Sequence, residues 1–377
     1  MSTEPRPVGA AHRSPAPAPA RTRARPARPL PAFTAATAGA GLLLAAAAGL
    51  GVPRLDAGVA AVLLTATAAV AGVACLVTGV LALRRALGRW ALVAAPLWLV
   101  VLLAAAGCLA VALAATHPPH PAAQRPPREA ETVTMTAADG VVLAGWYLPS
   151  TSGAAVVLRH GSGSTSAAVV AHAQALHAAG YGVLATDARG HGASGGRGMD
   201  LGWSGELDIR AAVDLLVHRP DVDPGRIGVV GLSMGGEESL GAAGEDARIR
   251  AVVAEGATGR TRGDKTWLAD EYGLAGRAQG VLDAVTYGLV DVLTPGAPPR
   301  TLAESVRRAD GTPVLLLAAG TEPDEQSVAG RLAATAPERV EVWTVDGAPH
   351  TGALAADPAG WREHVVGFLD RALAAPG

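Results

Sequence analysis

A serine between two glycines is the first feature of this sequence able to do chemistry. In Gly231-Leu232-Ser233-Met234-Gly235-Gly236 the hydroxyl of Ser233 follows the apolar run 227–231 and precedes a helix-forming stretch. A strand that turns into a helix through Gly-x-Ser-x-Gly makes a nucleophile elbow. The glycines leave out Cβ atoms where the turn must pack, and the serine is held in strained backbone with its Oγ clear of the sheet. The helix starting at Met234 offers N–H groups and a positive dipole end toward developing negative charge. Glycine and serine are common, and a glycine-rich structural turn would carry the same residues. The strand before the motif and the helix after it favour the elbow.

A serine nucleophile needs a base and an acid that orients the base. In strand–elbow–helix architectures these follow in the order Ser, acid, His. His350 lies just past a predicted strand over 340–345, in Asp346-Gly347-Ala348-Pro349-His350-Thr351-Gly352. The other histidine after Ser233, His364, falls within a predicted terminal helix over 361–373 and is expected on its surface. A predicted strand over 314–318 runs into Gly320-Thr321-Glu322-Pro323-Asp324-Glu325, where three carboxylates compete. Pro323 stiffens that turn. Asp324 is the expected acid and Glu322 the alternative, with Glu255, at the end of the preceding strand, behind them. The oxyanion needs two N–H donors. The backbone of Met234 is one; the other is expected from His160-Gly161-Ser162-Gly163-Ser164, with Ser162 the choice because it follows the His-Gly pair.

The elements that must position these groups alternate in type. Residues 132–136 and 141–148 read as a hairpin around Ala137-Ala138-Asp139-Gly140. Strands are predicted over 154–159, 182–186, 226–231, 250–254, 314–318 and 340–345, with helices over 167–179, 205–218 and from 234 to 243. Alternating strands and helices specify an α/β class with a mostly parallel sheet covered on both faces. Residues 258–311 interrupt the pattern. They hold Trp267, Tyr272 and an apolar stretch over 281–293, too interrupted by Asp283 and Asp291 to span a membrane. Trp267 and Tyr272 either line an acyl pocket or pack the insertion onto the body.

With His160-Gly161, the run Asp187-Ala188-Arg189-Gly190-His191-Gly192-Ala193-Ser194, the elbow at Ser233 and His350, the sequence over roughly residues 130–377 resembles the α/β-hydrolase superfamily. It is most similar to the dienelactone-hydrolase-like and serine-aminopeptidase-like branches. The resemblance implies the α/β-hydrolase fold, a lid in residues 258–311, and esterase, acyl hydrolase or peptidase chemistry. It also implies that the Asp-x-Arg-Gly-His-Gly run is a structural turn, so that Asp187 and His191 are not catalytic. Two departures stand out. Dienelactone hydrolases use Cys where this chain has Ser233, and the position three residues after Gly320, where the family often has Asp, is Pro323.

The remainder of the chain differs in character. The net charge of −2 over 377 residues divides into +9 for residues 1–125 (11 Arg, no Lys, Glu4 and Asp56) and −11 for residues 126–377. Residues 1–30 alternate Pro, Ala and Arg with little to bury and are expected to be a disordered tail. Nucleic-acid binding is not expected, because no aromatic platform or nucleic-acid fold accompanies those arginines. Residues 29–53, 57–83 and 90–124 carry no charge. A hydrocarbon core of about 30 Å takes about 20 helical residues. Three transmembrane helices are therefore expected within residues 31–116, near 32–52, 57–82 and 91–115. Arg84, Arg85 and Arg89 favour a cytoplasmic loop. The N-terminus is then inside, and everything after the third span lies outside the cell. Residues 117–128 form a Pro-rich linker, in which His117 and His120 are solvated rather than metal-bound, and 129–377 is the hydrolase domain. Cys75 and Cys108 sit in apolar runs as small filler, and two Cys exclude a disulfide scaffold.

The reading is a multi-pass membrane protein, anchored in the lipid bilayer, with an extracytoplasmic serine hydrolase domain. It cleaves an ester, thioester or amide of a small acyl or peptide substrate through an acyl-enzyme, as an esterase or acyl hydrolase in preference to a peptidase, with no cofactor or metal. The alternative is a hydrolase-fold membrane protein that only binds a ligand or partner. A transport role is poorly supported by spans with uncharged interiors.

Overall fold

The structure is a computed structural model that describes residues 31, 34–39 and 59–375. The chain divides into two compact units, residues 1–103 and 104–377.

The described residues of the first unit are helical. Helix α1 (Val59–Leu87) is followed by a 3-10 turn at Gly88–Trp90 and by α2 (Ala91–Thr116), within which the unit boundary falls. Gly88 has φ 56°, the left-handed stop after a helix that glycine adopts without a Cβ clash. Residues 34–39 are helical and lie close against α1. A Cβ on Gly39 would come 2.4 Å from the backbone N of Leu76, and one on Gly79 would come 2.6 Å from Cβ of Ala36. Small residues at such crossings let apolar helices pack backbone to backbone. Among the described residues, two stretches are long and apolar enough to cross a membrane, Val70–Trp90 and Val93–Thr116, with mean hydropathy 1.7 and 2.6. The expected spans 57–82 and 91–115 correspond to α1 and α2. Most of the expected first span, 32–52, and the whole tail 1–30 lie outside the described residues.

The second unit is built on eight strands: β1 (Glu131–Thr136), β2 (Val142–Leu148), β3 (Ala155–Arg159), β4 (Gly182–Thr186), β5 (Ile227–Leu232), β6 (Ile249–Glu255), β7 (Val314–Ala319) and β8 (Val340–Val345). Their spatial order is β1-β2-β4-β3-β5-β6-β7-β8. The β1–β2 and β2–β4 pairings are antiparallel, and the rest are parallel. The hairpin thus supplies the mixed edge and the β/α alternation the parallel body. β3, β4, β5 and β7 are buried along their whole length, which is why they read as continuous apolar runs, whereas edge strand β1 alternates from Val133 on and edge strand β8 is buried only at its two ends.

Alternate strand residues feed two apolar layers. Val157, Val229 and Leu316 meet Ile209, Ala212, Val213 and Leu216 of helix α4 (Gly205–Leu216) in one. That i, i+3, i+4, i+7 spacing gives α4 its single apolar stripe. Val156, Leu158 and Val230 meet Ala173 and Leu176 of helix α3 (Val170–Ala178), Trp361 and Phe368 in the other. The terminal helix expected over 361–373 runs without a break from Pro358 to Ala372 and holds one π-helical turn at Arg362–Val366. His364 is exposed there and stacks on Trp343, ring centroids 4.4 Å apart.

The insertion after β6 holds helix α5 (Leu268–Leu293), kinked at Gly273 where φ is 56°. It leaves Leu274, Val281 and Val292 exposed, whereas Trp267 is buried in the main core. The final part of the expected insertion belongs to the body, since Leu302 and Val306 of Leu302–Arg308 are buried in that same core. The Pro-rich linker is fastened to the domain: Ala122 bridges Gly192, the Gly192 N–H donates to Pro121 O at 3.0 Å, and His120 Nε2 lies 3.1 Å from Gly192 O. His117 Nδ1 lies 2.9 Å from the Thr116 hydroxyl.

Candidate active site

Chain order reverses between β4-β3 and β5-β6, and in open parallel sheets ligands bind beyond the carboxyl ends of the strands at that point. β3 and β5 end there in His160-Gly161-Ser162 and Ser233 respectively. Ser233 has φ 54° and ψ −124°, a strained conformation for a residue with a side chain. Its backbone N–H donates to Glu255 O at 2.6 Å, and its own carbonyl accepts from Gly236 and Glu237 at the start of the following helix (Met234–Ala243). Both flanking glycines are sterically required. A Cβ on Gly231 would lie 2.1 Å from Gly235 O, and one on Gly235 would lie 2.6 Å from His160 O.

The imidazole of His350 bridges the serine and a carboxylate. Its Nε2 is 2.9 Å from Ser233 Oγ, and its Nδ1 is 2.5 Å from Glu325 Oε1. The hydrogen bond and negative charge of Glu325, joined by the charges of Glu322 and Glu255, hold the His350 pKa above the ordinary histidine value against a partial burial that lowers it. The path for His350 is cleared by Gly256, whose φ is 72° and whose Cβ, were it present, would lie 2.8 Å from His350 Cε1.

Asp324 is not on the histidine. Its carboxylate is exposed and accepts from the Tyr272 hydroxyl at 2.6 Å. Glu322 is exposed at the N-cap of the helix Pro323–Ala333. The loop is shorter than expected because Pro323 opens the helix, a position where proline's missing N–H and fixed φ cost nothing. Asp324 and Glu325 then point about 100° apart around the helix. Glu325 turns inward, is 3% exposed, and its second oxygen accepts from Ala319 N–H at 2.8 Å. Sequence reasoning treated these carboxylates as loop residues. The Glu-Pro-Asp-Glu pattern, an N-cap and N1 proline followed by an N3 glutamate, was the available signal.

Glu255 is buried beside this pair. Its Oε1 accepts from Ala353 N–H at 2.9 Å. Burial, followed by the charge of Glu325, pushes its pKa up to about 7.

Gly161 lies over the serine, with its Cβ position 3.1 Å from Ser233 Cβ, and so brings Ser162 beside the reacting atom. Ser162 and Met234 line one cavity of about 210 Å³ together with His191, Met199 and Leu201. The first N–H groups of a helix have no intrahelical acceptor, so that of Met234 is available to a negative oxygen. The Asp-x-Arg-Gly-His-Gly run underpins this loop. Asp187 accepts from Ser166 and Ala193 N–H at 2.8 and 2.9 Å, and His160 Nε2 accepts from Ala188 N–H at 2.9 Å. Burial and the Arg159 charge depress His160 to about 3, so it is neutral and can accept. Below it, Arg159 donates to Glu238 at 3.0 and 2.6 Å and to Thr186, and Arg189 donates to Asp208 and Asp139.

Strand order, elbow and flanking helices together define the α/β-hydrolase fold. Residues 150–278 match the family model described as serine aminopeptidase, S33. Among solved structures, the Pyrococcus furiosus esterase Pf2001 is 27% identical, with a TM-score of 0.54 over 68% of this chain and 100% of that chain. An uncharacterized protein of Mycobacterium tuberculosis (strain ATCC 25618 / H37Rv) is 39% identical over 114 residues, 29% of this chain and 40% of that protein. The thiohydrolase aneE of Aspergillus aculeatus is 33% identical over 130 residues, 33% of this chain and 40% of that protein. The chain thus spans less than half the length of the curated relatives it matches. The family model and the esterase structure together support a hydrolase fold with esterase-like neighbours for this chain.

Proposed function

We propose that this protein is a membrane-anchored serine hydrolase that cleaves an ester or thioester through an acyl-enzyme. The observation that carries the reading is the 2.9 Å contact between Ser233 Oγ and His350 Nε2, made from a strained elbow and with Glu325 on the other ring nitrogen. His350 takes the Ser233 proton as Oγ attacks the carbonyl carbon. Glu325 holds Nδ1–H and balances the imidazolium. The tetrahedral oxyanion receives N–H bonds from Met234 and Ser162. Collapse breaks the bond to the leaving oxygen or sulfur, which takes its proton from His350. Water, deprotonated by His350, then attacks the acyl-enzyme and releases the acid and free Ser233. The chemistry calls on no metal or organic cofactor.

The esterase neighbour and the thiohydrolase relative support an ester or thioester over a peptide. Wild-type protein and Ser233→Ala, compared on short-chain p-nitrophenyl esters and acyl thioesters, test the reading: turnover is expected only in the former, and equal rates would sink it.

Among the described residues, the anchor comprises α1 and α2. Arg84, Arg85 and Arg89, at and just after the end of α1, favour a cytoplasmic turn. The hydrolase domain then lies outside the cytoplasm, and protease treatment of intact cells should digest it. A domain that stays protected would refute this topology.

A further inference from the structure

The cavity beside the oxyanion donors has a wall that comes from outside the hydrolase domain as the sequence delimits it. Val111, Ala114 and Ala115, in the last turns of α2, line it together with Ser162, Leu201 and Met234. These residues belong to a stretch apolar enough to cross a membrane, yet they sit in the same compact unit as the site.

Three contacts fix that helix end in place. Ala112 is fully buried against Trp203 and Val290, the latter on α5. Cys108 Sγ lies 3.5 Å from Leu282 O on the same helix. Gly198 passes so close that a Cβ there would meet Pro118 Cδ at 2.7 Å and Ala115 O at 3.2 Å.

The position of the cavity identifies which half of a substrate it would receive. The leaving atom must lie near His350, which protonates it; the cavity is bordered by neither His350 nor Ser233 and begins at the oxyanion donors. The carbonyl oxygen must lie near Met234 and Ser162, which do border it. The substituent extending past those donors, away from the histidine, is the acyl chain. At about 210 Å³ the space falls below the ~300–1,000 Å³ of pockets for drug-sized ligands, and its α2 wall is purely hydrocarbon.

We propose that the C-terminal end of α2 is a wall of the acyl-binding pocket, and that Val111, Ala114 and Ala115 set the length of acyl chain the enzyme accepts. This rests on the serine-hydrolase reading of Ser233. Specificity would then reside partly in a helix of the membrane segment, and the pocket would be incomplete without it.

The test uses the full-length protein in detergent micelles and the ratio of kcat/KM for p-nitrophenyl decanoate to that for the butyrate. A methylene in an apolar pocket changes such discrimination by about tenfold or more. Val111→Ala opens the wall and should raise the ratio about tenfold; Ala115→Phe fills it and should lower the ratio by a similar factor. Val111→Ala only removes atoms, so it keeps the test decisive if the bulkier variant fails to fold. Ratios within roughly twofold of wild type, from protein whose Ser233 still reacts with a fluorophosphonate, would overturn the wall and leave the hydrolase reading standing. Wild-type protein that neither turns over an ester nor reacts with the probe would overturn both.

Discussion

Glu325, and not its neighbour Asp324, bonds to Nδ1 of His350, at 2.5 Å, while Asp324 faces outward to the hydroxyl of Tyr272. A single helical step separates a buried carboxylate on the imidazole from an exposed one on the insertion.

That difference predicts unequal mutants. Glu325→Gln removes the charge that orients His350 and balances its imidazolium, and should cut kcat by ~10²–10⁴. Asp324→Asn should stay within about threefold of wild type, since a surface hydrogen bond carries little. The base must be neutral to act, so activity rises with pH through the His350 pKa. Glu325 is the main cause that raises it, and the inflection should therefore move to lower pH in Glu325→Gln. Steady-state kinetics from pH 5 to 9 read both effects; an unmoved inflection and an intact rate would remove Glu325 from the site.

Gly256→Ala tests how tightly His350 is placed. The new methyl would meet His350 Cε1 and must be carried at φ 72°. Misplacement of a catalytic group by about 1 Å costs on the order of 100-fold, and kcat should fall accordingly. A rate near wild type would mean that the histidine has room to shift.

Glu255 predicts a stability profile. Its folded pKa of about 7 lies above the ordinary glutamate value of 4.5, so between those limits the native state binds more protons than the unfolded one. Stability contributed by this group is complete below about pH 4.5, declines as pH rises, and levels off above about pH 7. The full span corresponds to up to about 3 kcal/mol. Glu255→Gln keeps an oxygen for Ala353 N–H and cannot ionise. Its melting temperature should exceed wild type at pH 8 and match it at pH 4.5; equal melting temperatures at both values would contradict the assignment.

The ion network beneath the elbow predicts a large cost for removing one charge. Arg159 and Glu238 are both buried, and Asp208 lies 3.6 Å from the same guanidinium. Arg159→Met strands buried carboxylates and should destabilise the domain by about 3–5 kcal/mol, read as a shift in urea midpoint. A midpoint within error of wild type would show the network to be dispensable.

Much of this architecture was legible because its causes are local. Gly231 and Gly235 are dictated by contacts within the elbow itself, and the fully buried strands announce themselves as apolar runs. The placement of Ser233 against His350 followed from chain order along parallel strands. Glu325 escaped because the boundary between loop and helix at Pro323 decides which carboxylate turns inward, and one residue of error rotates the choice by about 100°. The α2 wall escaped for a different reason. Val111 and Met234 are far apart in sequence, and hydrophobicity alone does not distinguish a helix facing only lipid from one that also lines a pocket. The expected insertion ran too far because Leu302 and Val306 join the core by tertiary packing that no periodicity over seven residues can show.

The central claim is that Ser233 is a nucleophile activated by His350. Treating the full-length protein with a fluorophosphonate and mapping the modified peptide by mass spectrometry tests it most directly. The account predicts one adduct on Ser233, lost in Ser233→Ala and formed far more slowly in His350→Ala. An adduct that persists in Ser233→Ala, or a wild-type protein that stays unmodified, would contradict it.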